Sequence, residues 1–223
     1  KRGGFIIDIS ITDVAAHIQR GSHIDRNAFR RAFTRYFKND HTPMLPFEHG
    51  EKKLSLLPES QHASLTVTIA INGNGAIEQY SIHPTILDIV AKLTYAGADT
   101  ILEDASHPLY RMLQRCHLAA KFLIQRRKQK GSYPIYDLKS GWKVSEEGFL
   151  VNIHREARFH SYIIVREFMI CANEFVAHFL ASREIPALYR NHSSHGLFER
   201  YRDELESGKL NNGHKTPFFF VEY

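Results

Sequence analysis

The 223-residue chain is 43% hydrophobic and 12% aromatic, with fifteen Phe and ten Tyr against one Trp. That is enough apolar material for a sizeable core and excludes a disordered or fibrous chain. A formal charge of +5 and a pI of about 9.2 suit an anionic partner such as a nucleic acid, although an ordinary basic protein has the same balance. No apolar run reaches the ~18–20 residues of a membrane span. The broken apolar stretch after Lys1-Arg2 is no signal peptide. Two cysteines, Cys116 and Cys171, sit in helix-like stretches and read as buried free thiols in a reducing compartment; the expected location is cytoplasmic.

From Phe5 to Val14 the chain alternates, with Phe5, Ile7, Ile9 and Ile11 on one face and Ile6, Asp8, Ser10 and Thr12 on the other, as in a strand. Asp8 and Asp13 then lie on opposite faces and cannot pair. Their expected roles are a strand-edge carboxylate and a cap of the next turn. Ala28, Phe29, Ala32, Phe33 and Tyr36 repeat at helical spacing behind Asp25, a candidate N-cap. Thr42–Ser60 carries three prolines and the apolar pairs Met44-Leu45 and Leu56-Leu57. Such a stretch is too stiff and apolar for a plain connection.

Alternation from Leu65 to Ile71, "NGNG" at Asn72–Gly75 and a second strand from Ala76 to about Leu87 predict a hairpin. Pro108–Lys130 reads as a long helix with Leu109, Met112, Leu113, Cys116, Ala120 and Leu123 in its stripe and a basic end, "QRRKQKG". "SYPIYDLK" and "GFLVNIHRE" suggest a strand pair joined through "SGWKVSEEG". Ser161–Leu180 predicts a second long helix, apolar almost all round yet holding Glu167 and Asn173. A buried carboxylate needs a partner: Arg166, Arg158, another basic group, or a functional site. "GLFERYRDELESG" reads as a short polar helix. The order favours one α+β domain, a mixed β-sheet with long helices packed against it.

The histidines, His192 and His195 among them, show no zinc-ligand pattern. "NGNG" lacks the helix and lysine of a phosphate loop. The "LYRNH" segment, Leu188–His192, mixes side chains suited to phosphate and base contacts.

"DISITDVAAHIQRGSHIDRNAFRRAFTRYF", "TPMLP…EKKLSLLPES", the hairpin, "KLTY" at Lys92–Tyr95, "REFMICANEFVAHFL" and "ALYRNH" follow in an order that resembles the catalytic (RNB) domain of the ribonuclease II / ribonuclease R family. The resemblance is carried best by Phe5–His192. It implies that residues 1–223 are a partial RNB-type domain of a 3′–5′ exoribonuclease. Such an enzyme hydrolyses single-stranded RNA to nucleoside 5′-monophosphates with magnesium. By the same resemblance Asp13 takes the Asp of the family's "HIADV". Tyr36 matches the tyrosine that stacks on RNA, and Tyr136 the aromatic that clamps the terminal base. Glu167 matches a glutamate that helps hold the last nucleotide, while Tyr189, Arg190 and His192 match a segment beside the channel. Thr42–Ser60 would be a rigid floor of that channel, pinned by its apolar pairs.

Three departures stand against this pattern: Ser10 replaces the family's His, Arg166 replaces a Glu, and Lys52-Lys53 stand where relatives are often acidic. The family's metal-binding aspartate cluster precedes the first strand, where this sequence has "KRGG". Its "SPIRR" arginine would follow Tyr223, and its cold-shock and S1 barrels would flank the domain. Catalytic residues and metal ligands are therefore not assigned in this chain, which is expected to bind RNA without cutting it alone. It is either part of a longer enzyme or a non-catalytic RNA-binding or scaffold relative that keeps the fold.

Overall fold

The computed structural model describes residues 4–37, 40–58, 60–73, 75–130, 142–144, 150–152 and 160–189. They fall into two compact units. One holds Phe5–Ile71 and Ile77–Thr94; the other holds the hairpin tip Asn72–Ala76 and the chain from Tyr95 onward.

The first unit is built on three antiparallel strands, β1 (Phe5–Thr12), β4 (Gln61–Ile71) and β5 (Ile77–Asp88), in the order β1-β4-β5. β-Branched residues at every second position put Ile7 opposite Ile69 and Ile9 opposite Val67. Val67, Ile69 and Ile71 are buried on this face. The other face is polar. Ser10 Oγ lies 2.8 Å from Thr66 Oγ1, Thr66 Oγ1 2.6 Å from Thr85 Oγ1, and Ser64 Oγ 2.7 Å from Thr85 Oγ1. The ladder satisfies the buried Ser64 and Thr66 hydroxyls across all three strands. Pro84 lies in the outer strand β5, where a missing N–H costs the ladder least.

Asp8 accepts a 2.6 Å hydrogen bond from Thr68. Asp13 caps the short helix α1 (Val14–His17) by accepting from the Ala16 N–H at 3.1 Å. These are the two roles expected of them. Helix α2 (His23–Arg31) differs from expectation at both ends. Its N-cap is Ser22, which accepts from the Asp25 N–H, while Asp25 accepts from the Gly21 N–H at 2.7 Å. This is a reciprocal box in which Asp25 belongs to the first turn. The helix ends at Arg31 because Ala32 takes φ +63°, so Phe33 and Tyr36 are not helical. Ala28 alone is buried on α2, and Phe29 is 87% exposed.

The chain then forms the small pair β2 (Arg35–Tyr36) and β3 (His41–Thr42). Residues Glu48–Lys53 make one wide helical turn, closed where the Leu54 N–H donates to the His49 carbonyl at 2.9 Å. The proline-rich stretch is therefore partly regular. Leu54 is its buried anchor; Met44, Leu45, Leu56 and Leu57 are only half-buried. Polar bonds complete the attachment: Thr12 Oγ1 donates to the Leu54 carbonyl at 2.6 Å, and buried His62 sets Nε2 2.7 Å from the Leu57 carbonyl.

The second unit is helical: α3 (Tyr95–Glu103), α4 (Tyr110–Gln129) and α5 (His160–Ser182). Ala98 and Ile101 of α3 pack with Leu113 of α4. Ala119, Ala120 and Leu123 of α4 are buried, as are Ile163, Ile164, Cys171, Ala172 and Phe175 of α5. Met112, expected in the stripe, is half exposed. Asn173 is exposed and never has to satisfy a buried amide. β6 (Trp142–Val144) pairs antiparallel with β7 (Leu150–Asn152). β7 lies in the expected second strand, whereas β6 lies in the stretch expected to connect the pair; "SYPIYDLK" and the polar helix near residue 200 lie outside the described residues. Both cysteines are free, Cys171 buried and Cys116 half-buried. Burial pushes the Cys171 thiol up to about 12, so it behaves as a packing group.

Candidate functional site

Tyr36 lies on β2 in the first unit. Its side chain is 81% exposed, yet it is ordered from one side. The His41 ring of β3 stacks on it with centroids 5.9 Å apart and planes 22° from parallel. A tyrosine held on one face and open on the other is a ready platform for a planar ligand.

Glu167 lies on α5 in the second unit and has no exposed surface. Arg127 of α4 reaches it: Nη1 donates to Oε1 at 2.7 Å and to Oε2 at 2.9 Å. Of the partners expected for Glu167, the structure shows the third kind, another basic group, here near the end of α4. Two turns further along α5, Glu174 takes a bidentate pair from Arg126, both bonds 2.7 Å, and a third bond from Lys130 at 3.0 Å. The Arg126 guanidinium beside Glu174 holds its carboxyl down at about 2. Arg126, Arg127 and Lys130, read in the sequence as complementing the helix dipole at the end of α4, are engaged in these pairs. In this arrangement Glu167 offers no atom to a nucleotide.

At the start of α5, Asp99 of α3 accepts from the His160 N–H at 2.7 Å and the Ser161 N–H at 2.8 Å. Ser161 Oγ donates to the Tyr95 carbonyl at 2.9 Å. A carboxylate from another helix therefore does the capping. Sequence reasoning missed Arg126, Arg127, Glu174 and Asp99. The seven-residue step from Glu167 to Glu174, two turns on one helix face, was the available signal for the first three.

Tyr189 follows α5 and is part exposed. Tyr136, Arg190 and His192 lie outside the described residues. Of the six expected site residues, Tyr36, Glu167 and Tyr189 are thus among the described residues. Among the described residues no group of three or more His, Cys, Asp or Glu side chains could hold a metal ion, and no helix is long and apolar enough to cross a membrane.

The RNB domain family matches residues 1–215. The chain belongs to the RNB domain family. The described residues of both units fall within that match. Similar proteins include ribonuclease R of Aquifex aeolicus, 30% identical over 85% of this chain and 28% of the relative. Ribonuclease R of Vibrio parahaemolyticus is 28% identical over 92% of this chain and 26% of the relative. The chain thus spans less than a third of the curated relatives it matches. Among solved structures, Mycoplasma genitalium RNase R in complex with ribose-methylated single-stranded RNA shares the fold at TM-score 0.73. Its identity is 20%, over 96% of this chain and 34% of that one. Yeast Ssd1, a pseudonuclease, shares it at TM-score 0.69 and 20% identity, over 94% of this chain and 26% of that one. The RNB fold is therefore carried both by ribonucleases and by a relative named for lacking the activity.

Proposed function

We propose that this chain is the RNA-contacting part of a 3′–5′ exoribonuclease, whose complete protein shortens single-stranded RNA and releases nucleoside 5′-monophosphates in the cytoplasm. The observation that carries this reading is Tyr36, exposed and backed by His41; by resemblance it corresponds to the tyrosine on which the family stacks RNA. Stacking on an aromatic face suits every base, which is what an enzyme moving along RNA needs. By resemblance to the family, Tyr136, Tyr189, Arg190 and His192 are also assigned to RNA contact. Glu167, fully buried against Arg127, serves as a strut between α4 and α5. It does not itself touch the nucleotide.

Nucleases of this family depend on a metal, and magnesium is the ion we propose for the complete protein. The described residues do not fit it: Asp8 is bonded to Thr68, Asp13 caps α1, and no cluster of ligands forms. No step of hydrolysis is assigned to them.

A second reading, an RNA-binding protein without activity, is favoured by Ser10. Its hydroxyl is tied into the Thr66–Thr85 ladder where the family has a histidine. Incubating the full-length parent protein with 5′-labelled single-stranded RNA, with and without magnesium, separates the two. Magnesium-dependent shortening to 5′-monophosphates supports the enzyme. Salt-sensitive binding without shortening supports the second reading. Absence of binding defeats both.

A further inference from the structure

From Arg26 to Phe37 the sequence reads RNAFRRAFTRYF: four arginines, four aromatic residues and no acidic residue. Burying a phenylalanine is worth about 1.5–3 kcal/mol, so helical spacing alone would turn Phe29 and Phe33 inward. The structure does the reverse. Ala28 is buried, while Phe29 is 87% exposed and Phe33 and Phe37 are each 60% exposed. The backbone enforces this. Ala32 takes φ +63° with ψ −35°, a conformation that L-residues avoid, its N–H still bonded to the Ala28 carbonyl, and the chain leaves the helix before Phe33 can join the helical face.

The arginines are arranged around these rings. The Arg35 guanidinium lies 5.7 Å over the Phe33 ring. Arg31 is tethered through Nη1 to the Pro43 carbonyl and Arg26 to the Gly21 carbonyl, both at 2.7 Å. Each keeps an exposed side chain, and Arg30 is exposed beside them. Large exposed apolar groups clustered in one short stretch mark a binding surface. Arginines interleaved from Arg26 to Arg35 with no carboxylate between them select a polyanion as occupant, and flat rings between cations fit alternating bases and phosphates.

We propose that α2 and the segment leading into β2 form a second grip on single-stranded polynucleotide, with Phe29, Phe33 and Phe37 stacking bases and the neighbouring arginines meeting phosphates. The proposal rests on the RNA reading above and extends it, since Tyr36 alone of this surface was assigned there. The second grip lengthens the bound strand beyond what one tyrosine can hold.

The test uses the whole chain and a fluorescein-labelled 20-nucleotide oligouridylate, with affinity followed by fluorescence anisotropy at several salt concentrations. Replacing both Phe29 and Phe33 by Ala is expected to weaken binding at least about tenfold and to leave the melting curve unchanged. Replacing both by Tyr should restore affinity to within about twofold. Arg26→Gln with Arg30→Gln should flatten the dependence of log affinity on log salt by about 1.4. If the Phe-to-Ala pair binds as wild type while Tyr36→Ala weakens binding, the second grip is overturned and the RNA reading stands. If the wild-type chain does not bind the oligonucleotide, both fall. Self-association that disappears in the Phe-to-Ala pair, with RNA affinity unchanged, would make the surface a protein contact and also overturn the proposal.

Discussion

The two units use their charged and aromatic residues in opposite ways. In the helical unit Arg126, Arg127 and Lys130 are spent on Glu174 and Glu167, and Asp99 is spent on the start of α5. Its chemistry is turned inward and holds three helices together. In the sheet unit the core is made by isoleucine and valine with a hydroxyl ladder behind it. Arginine and aromatic side chains are left at the surface around α2 and β2. Similar residue types therefore carry stability in one unit and, on the reading proposed above, recognition in the other, and substitution separates the two uses.

The largest effect is expected at Glu167. Removing it leaves Arg127 charged in the interior, so Glu167→Ala should cost about 3–5 kcal/mol in urea denaturation. Replacing the pair together, Arg127→Met with Glu167→Leu, should cost much less, because no unpaired charge remains. Equal losses for the single and double variants would show that packing, not pairing, is what matters there.

Acid should act next through Glu174. Its folded carboxyl titrates at about 2, below the unfolded value near 4.3. As pH falls, the unfolded chain takes up the proton first. The stabilisation is thus whole above about pH 5 and lost progressively toward pH 2. With screening at this partly exposed site it amounts to about 1–2 kcal/mol. Arg126→Gln should remove most of that slope in stability against pH.

Asp99→Ala should cost about 1 kcal/mol by uncapping α5. Fraying would appear as faster amide exchange at His160 and Ser161. At the small end, Tyr36→Ala should change stability by less than about 0.5 kcal/mol, as exposed positions do, while weakening RNA binding by about 1–3 kcal/mol. A large loss of stability there would blur the contrast between the units.

Much of this architecture was legible in the sequence. The alternation of β1, the turn at Asn72–Gly75 and the two long helices follow from local periodicity, and Asp8 and Asp13 took the roles that strand geometry gives them. Helix α3 was missed because Gly97 in its interior weakens the local signal by about 1 kcal/mol, and burial of Ala98 and Ile101 decides the matter. The helix of α2 was read on through Phe33 and Tyr36 because the apolar spacing continues there; the positive φ of Ala32, which ends it at Arg31, has no signature of its own. At the candidate site, Tyr36 came from the resemblance alone. Glu167 was singled out by its apolar surroundings, but its partner forty residues away was beyond any local rule. The expectations at Tyr136, Arg190 and His192 lie outside the described residues.

The run of hydroxyls from Ser10 to Ser64 carries an electrical consequence. Each of these groups has one proton to give, so the row must orient them cooperatively, and none can gain or lose charge in ordinary buffers. A histidine at position 10 would acquire a positive charge as the solution turned mildly acidic. With serine there, that row stays electrically neutral on either side of neutrality.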